Sequence, residues 1–148
     1  MDDKHFMSAA LDEARRAFQE GEIPVGAVIV LDGRIIAVSH NVNRAAAVPT
    51  RHAEIIAIEN AAEYMKNERL TGCTLYVTKE PCAMCAGAIV HARLEKLVIG
   101  ARDVRFGACG TVFQVCGNPA MNHVPEIEFG VLGDETAGLL QEFFRIRR

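Results

Sequence analysis

His52-Ala53-Glu54, together with Pro81-Cys82-Ala83-Met84-Cys85 further along the chain, sets three metal-binding side chains beside one carboxylate. Imidazole and thiolate donors suit zinc, and three protein ligands leave its fourth tetrahedral position open for water. Such a site activates water near neutral pH instead of merely stapling a fold. The expected cofactor is Zn2+, one per chain, on His52, Cys82 and Cys85. Glu54 is left over from ligation. Hydrolysis by such a water needs a group that takes the water's proton and gives a proton to the departing group. One carboxylate reaching both water and substrate can carry these protons, which makes Glu54 the expected catalytic residue. Glu80 is the other carboxylate near the motif, and its position reads more readily as a cap for the helix opening at Pro81.

Simpler readings exist for the same residues. A Cys-x-x-Cys pair alone fits a structural zinc or a redox pair. A closed structural site needs a fourth protein ligand, which Cys73, Cys109, Cys116 or His91 could supply. That reading leaves Glu54 and Pro81 unexplained. Cys73, Cys109 and Cys116 read as small packing residues, and His5, His40, His91 and His123 have no partner spacing.

The elements around the motifs must aim these side chains together. Cys82 and Cys85 are three apart and share the first turn of a helix over about Cys82 to Ala92, which Pro81 opens. His52 and Glu54 would diverge on a regular helix, so His52 is expected at a ragged helix start. Thr50 is the expected N-cap of that helix, which runs to about Lys66. Both helices would present positive dipole ends to the metal and favour thiolates. Upstream, Phe6, Ala10, Leu11, Ala14, Ala17 and Phe18 recur at helical spacing and end near Gly21. Val25 to Leu31 and Ile35 to Ser39, joined by Asp32-Gly33, read as a hairpin. Thr74 to Thr78 and Leu97 to Ile99 are short strands. Arg102 to Pro125 is mostly loop with one short helix, and Asp134 is expected to cap a last helix through Leu139, Leu140, Phe143, Phe144 and Ile146. Alternating helices and strands imply an α/β sandwich with a mixed sheet.

A chain of 148 residues fits one domain over 1–148 with one core. Half of it is hydrophobic, yet no apolar run reaches the roughly 18 residues of a membrane span, so no membrane partner is expected. Met1-Asp2-Asp3-Lys4 does not resemble a secretory signal. Five Cys, an odd number, then fit a reducing, cytoplasmic setting without a disulfide framework. The net charge of -3 means that any nucleic-acid surface must be a local one. Arg145, Arg147, Arg148, Arg102, Arg105, Arg51 and Lys79 are expected to form one basic stripe beside the metal, with Phe144 stacking near a neighbouring base.

The paired motifs are those of zinc-dependent nucleobase deaminases. Nearly the whole chain resembles the bacterial tRNA-specific adenosine deaminases. The matching stretches are Gly21-Glu22-Ile23-Pro24-Val25-Gly26-Ala27-Val28, Gly100-Ala101-Arg102-Asp103, Gly107-Ala108-Cys109-Gly110, Met121-Asn122-His123 and the ending Phe143-Phe144-Arg145-Ile146-Arg147-Arg148. The resemblance implies a three-layer α/β/α sandwich with a central mixed five-stranded sheet, cytidine-deaminase-like. It implies conversion of adenosine to inosine at the tRNA wobble position by a homodimer. Carried over by position, His52, Cys82 and Cys85 bind zinc and Glu54 shuttles protons. Asn41 contacts the base, the Ala53 backbone contacts the ring, Val28 helps to line the pocket, and Asp103 and Arg105 lie on the anticodon loop. Ala86, Gly87 and Val90 are expected near the dimer interface. Val48, Arg51, Lys79 and Thr111 depart from common family residues without touching the chemistry. A deaminase of free guanine or cytidine would share the metal chemistry and is the alternative.

Overall fold

Short apolar strands and amphipathic helices alternate along the chain, and the computed structural model describes residues 2–147 of it. Helix α1 spans Asp3–Gln19, with the Asp2 carboxylate accepting the His5 N–H as its cap. Strands β1 (Gly26–Leu31) and β2 (Arg34–His40) follow. Asp32 and Gly33 join them with φ of 52° and 76°, the two positive values that a two-residue hairpin turn requires. A single-turn helix α2 (Asn43–Ala46) precedes α3 (Ala53–Met65). Then come β3 (Thr74–Lys79), α4 (Ala83–Ala92), β4 (Lys96–Ala101), β5 (Glu126–Phe129) and α5 (Gly133–Ile146).

The sheet order is β2-β1-β3-β4-β5. Strand β1 is antiparallel to β2 and β3, whereas β3, β4 and β5 run parallel. This is the expected mixed five-stranded sheet. Strand alternation divides its side chains between two layers. Ala27, Ile29, Leu75, Val77, Leu97 and Ile99 pack with Ala57 and Ala61 of α3 and with Ala86, Ile89 and Val90 of α4. On the other face Val28, Val30, Tyr76 and Val98 pack with Phe6, Met7 and Ala10 of α1. Helix α5 joins that layer, its Phe143 ring 5.7 Å from Phe18 of α1. Gly26 permits the close approach of α1, since a Cβ there would lie 1.9 Å from the Ala10 carbonyl oxygen. The parallel strands β3 and β4 thus end on one edge of the sandwich, where open α/β sheets place their sites.

Several expectations are corrected. Thr50 does not cap α3: its carbonyl accepts the His52 N–H at 2.8 Å, and His52 is itself the N-cap. Asp134 lies inside the first turn of α5, whose N-cap is Leu132. Residues 102–125 contain no helix, and the fifth strand is the alternating Glu-Ile-Glu-Phe run that follows them. Ala86 and Val90 are buried in the chain's own core, because α4 turns them toward the sheet, and Gly87 alone of that trio remains half-buried. Cys109 and Cys116 are buried packing residues, as expected, and they also face each other across the loop with Cα atoms 5.4 Å apart. No helix among the described residues is long and apolar enough to cross a membrane.

Candidate active site

The N-termini of α3 and α4 meet at the sheet edge. His52 is the N-cap of one helix and Cys82 of the other, both with extended backbone, so their side chains project forward from the helix ends. Cys85 sits one turn into α4 and turns back toward them. His52 Nδ1 is 3.8 Å from Cys82 Sγ and 3.6 Å from Cys85 Sγ. The ligand atoms of the three residues all lie within 4.8 Å of one another, and no fourth His, Cys, Asp or Glu joins the group among the described residues. One nitrogen and two sulfur donors in a cluster this tight fit a metal ion with an open coordination position. His91, Cys73 and the Cys109–Cys116 pair stand outside it, which removes the fourth ligand that a closed site would need.

The electrostatics favour a cation. Hydrogen bonding with Cys85 draws the Cys82 thiol down to about 4, against the upward push of burial and with help from His52. Cys85 moves the other way, held protonated first by that same bond and then by burial. The hydrogen bond between the two thus favours the thiolate at Cys82 and the thiol at Cys85. His52 is raised, first by its bond to Cys82.

Glu54 lies at the second position of α3 and is 4% exposed. Burial pushes its carboxyl up to about 7, with the negative charge of Cys82 adding to the shift and its own backbone N–H opposing it. A carboxyl poised there can both accept and give a proton near neutral pH.

A pocket of about 100 Å³ opens onto these groups, lined by Ile23, Val25, Asn41, Asn43, His52, Glu54, Lys79, Glu80, Cys82 and Asp103. Asn41 is fixed at its wall. Its Oδ1 accepts the Ala53 N–H at 2.8 Å, and its Nδ2 donates to the Ile23 carbonyl at 3.2 Å. The Ala53 carbonyl accepts the Ser39 hydroxyl at 2.6 Å, so both backbone polar groups of Ala53 already have partners. Val28 is not in this pocket. It points to the α1 face of the sheet, and Val25 takes the place expected of it.

The pocket widens into a cleft of about 630 Å³ that shares Ile23, His52, Lys79, Cys82 and Asp103 with it. The outer walls carry Arg102, Arg105, Phe106, Leu140 and Phe144. Asp103 stands at the junction, with Lys79 Nζ 3.2 Å from its Oδ2 and the N–H groups of Arg105 and Phe106 donating to its Oδ1. Burial alone would raise its carboxyl, but these N–H groups and the Lys79 ammonium hold it below the usual range. The basic stripe is narrower than expected. Arg51 pairs with Glu59, Arg145 with Glu142, and Arg147 lies over the Phe143 ring with its guanidinium against Gly21. Among the described residues of that set, only Lys79, Arg102 and Arg105 border the cleft, and Arg102 is itself stacked 3.9 Å over Phe129. Arg148 lies outside the described residues. Ile23, Asn43, Val104 and Phe106 line the site without having been singled out in the sequence. The last two left a signal, being large apolar residues in a Gly-rich loop where no core could bury them.

The MafB19-like deaminase family model matches residues 1–148. The tRNA-specific adenosine deaminase of Haemophilus influenzae is 48% identical over 147 residues, covering 99% of this chain and 85% of the relative. That of Bacillus subtilis is 44% identical over 143 residues, covering 97% and 89%. The chain belongs to the MafB19-like deaminase family, with the tRNA-specific adenosine deaminases as its relatives. A solved structure from work on A-to-I editing by tRNA:A34 deaminases at the wobble position of transfer RNA matches with a TM-score of 0.89 at 46% identity, covering 92% of this chain and 99% of that one. A guanine deaminase from Bacillus subtilis matches less well, with a TM-score of 0.68 at 32% identity over 99% of this chain and 94% of that one. The common deaminase scaffold accounts for the five-stranded mixed sheet.

Proposed function

We propose that the protein hydrolyses adenosine to inosine at the wobble position of a tRNA anticodon and releases ammonia, with one zinc ion per chain on His52, Cys82 and Cys85. The observation that carries this reading is the juxtaposition of the three-ligand cluster with buried Glu54 in a narrow pocket that continues into a wider, basic and aromatic cleft. A deaminase of a free base has no use for the outer cleft, which has room for nucleotides flanking the target and offers Arg105, Phe106 and Phe144 to their phosphates and bases.

In this mechanism zinc supplies Lewis acidity toward water. Glu54 takes a proton from the attacking water and delivers it to the ring nitrogen beside the amino-bearing carbon. That carbon gains a hydroxyl; Glu54 then takes the hydroxyl proton and passes it to the amine as the carbon–nitrogen bond breaks, leaving a ring carbonyl and ammonia. Its upward-shifted carboxyl is suited to both roles. Asn41 faces the pocket with one Nδ2 hydrogen not used by Ile23, and that hydrogen can orient the base.

The reaction belongs in the cytoplasm, where mature tRNA is found. A homodimer is part of the reading. Ala86 and Val90 are already spent on the core, so the same layer offers the open groove of α3 and α4 lined by Ile55, Ile58 and Ala88. Incubating bulk tRNA with the purified protein and digesting it to nucleosides should yield inosine. Ammonia from free guanine without inosine in tRNA would transfer the assignment to base deamination. Sedimentation showing only monomer at micromolar concentration would remove the dimer.

A further inference from the structure

Glu80 is the most fully engaged carboxylate near the site, and the deamination steps above do not use it. It is 2% exposed and forms no ion pair among the described residues. Four donors surround it instead. Oε1 accepts the Asp103 N–H at 3.1 Å and also the Thr111 hydroxyl, while Oε2 accepts the Cys109 N–H at 3.0 Å and the Thr111 N–H at 3.2 Å. All four come from one loop, 102–111, which begins 22 residues after Glu80 and carries Arg105 and Phe106 into the outer cleft.

Backbone bonds hold the same two segments together. The Glu80 N–H donates to the Ala101 carbonyl at 2.8 Å, and the Ala108 N–H donates to the Pro81 carbonyl at 2.9 Å. Gly107 closes over the carboxylate, and a Cβ there would lie 2.5 Å from Glu80 Cδ and Oε1. The Asp103 backbone that Glu80 holds is in turn the platform for Arg105 and Phe106, whose N–H groups Asp103 Oδ1 accepts at 2.9 and 3.1 Å.

We infer that Glu80 is a positioning residue for polynucleotide recognition: its buried carboxylate builds loop 102–111 directly onto the metal-binding turn, so that Arg105 and Phe106 are presented in fixed register with the pocket. This deepens the proposed function and rests on it. Glu80 does not cap α4, and its acceptor positions are occupied, so it is not a rival to Glu54 as proton carrier. Cys82, two residues beyond Glu80, is a candidate metal ligand, so loop and metal share one rigid stretch of chain.

The test compares wild type, Glu80→Gln and Gly107→Ala, each loaded with zinc. Glu80→Gln keeps shape but turns an amide donor toward loop N–H donors. Gly107→Ala pushes the loop off the carboxylate from the other side. With an RNA anticodon stem-loop carrying adenosine at the wobble position, each variant should raise KM about tenfold or more, the scale of an unsatisfied buried group. kcat should change far less, and zinc should stay at one per chain. The double variant should be no worse than the poorer single one, because both break the same contact. Amide exchange at Asp103, Cys109 and Thr111 should be slow in wild type and fast in Glu80→Gln. A fall in kcat at unchanged KM, or loss of zinc, would overturn the inference, as would unchanged exchange at those amides. If Glu80→Gln fails to fold, Gly107→Ala alone decides by the same KM criterion. If wild type itself makes no inosine, the proposed function fails, while the exchange measurement still judges the loop contact.

Discussion

Asn41 Oδ1 accepts the N–H of Ala53 at 2.8 Å, which ties the end of β2 to the first turn of α3 immediately after His52 of the His-Cys-Cys cluster. The same side chain donates to the Ile23 carbonyl at 3.2 Å, so one amide joins three segments around the pocket. Asn41→Ala should therefore do more than remove a contact to the base. Leaving the buried Ala53 N–H without its partner costs about 1–3 kcal/mol. Denaturant unfolding should show that loss, and turnover should fall as well. Unchanged stability with lost turnover would mean that Asn41 serves the substrate alone.

The metal should be separable from the fold. The two sheet faces bury their own cores, and only Cys85 of the three ligands is fully buried. Elemental analysis is expected to find about one zinc per chain in wild type, and Cys82→Ala or Cys85→Ala should lose it while keeping native circular dichroism. Cobalt substituted for zinc should show a coordination position open to small anions. Tight retention of metal by both cysteine variants would refute the ligand set.

Glu54→Gln preserves volume and removes only the capacity to exchange a proton. It should keep zinc and fold and lose a factor of about 10² to 10⁴ in turnover, or more if one group serves every transfer. Single-turnover rates on an anticodon stem-loop measure this directly. Near-normal turnover would assign the proton transfers to solvent, since the Glu80 oxygens are occupied by loop donors.

The convergence of His52, Cys82 and Cys85 beside buried Glu54 was legible because these residues are concentrated in two short motifs, each at a helix start. Topology was legible where turn residues such as Asp32-Gly33 mark it. The facing of β1 was not. Its first five residues are all buried, so no polar alternation separates Val28, which packs on α1, from the side chains facing the pocket layer. The role of Glu80 was hidden for a different reason. Three of its four donors are backbone N–H groups 23 to 31 positions away, which no side-chain pattern records. β5 leaves a weak signal: Glu126-Ile127-Glu128-Phe129 alternates, but four residues give only two turns of a period-2 pattern, too few to stand out after a long loop.

His40 gives the fold a pH dependence. Its Nδ1 is 3.1 Å from Glu13 and its Nε2 3.0 Å from Glu20, and Arg16 also faces Glu13 at 3.3 Å. Burial alone would lower the imidazole, but the two carboxylates outweigh it and raise it. A group raised on folding stabilises the fold fully below its unfolded value of about 6.5 and loses that effect as pH rises through the folded value. The stability difference between wild type and His40→Gln should thus be largest near pH 6 and shrink toward pH 9. A difference that grows with pH would show the imidazole to be neutral in the fold.

Arg105 and Arg147 should behave differently toward RNA although they carry equal charge. Arg105 borders the cleft, 5.5 Å over Phe106, on a loop held by Asp103. Arg147 is folded back 5.0 Å over Phe143 on α5, against Gly21, and lines neither the pocket nor the cleft. Each phosphate contact contributes about one unit to the slope of log affinity against log salt. Arg105→Ala should weaken anticodon stem-loop binding and reduce that slope by about one. Arg147→Ala should leave the slope unchanged and cost at most a little stability, through the lost stacking on Phe143. Phe144→Ala, which removes an exposed ring from the cleft wall, should weaken binding without altering the slope, because stacking is not electrostatic in origin. Fluorescence anisotropy across a salt series separates the three variants. Equal slope changes for Arg105→Ala and Arg147→Ala would mean that the RNA path runs over the end of α5 as well as through the cleft.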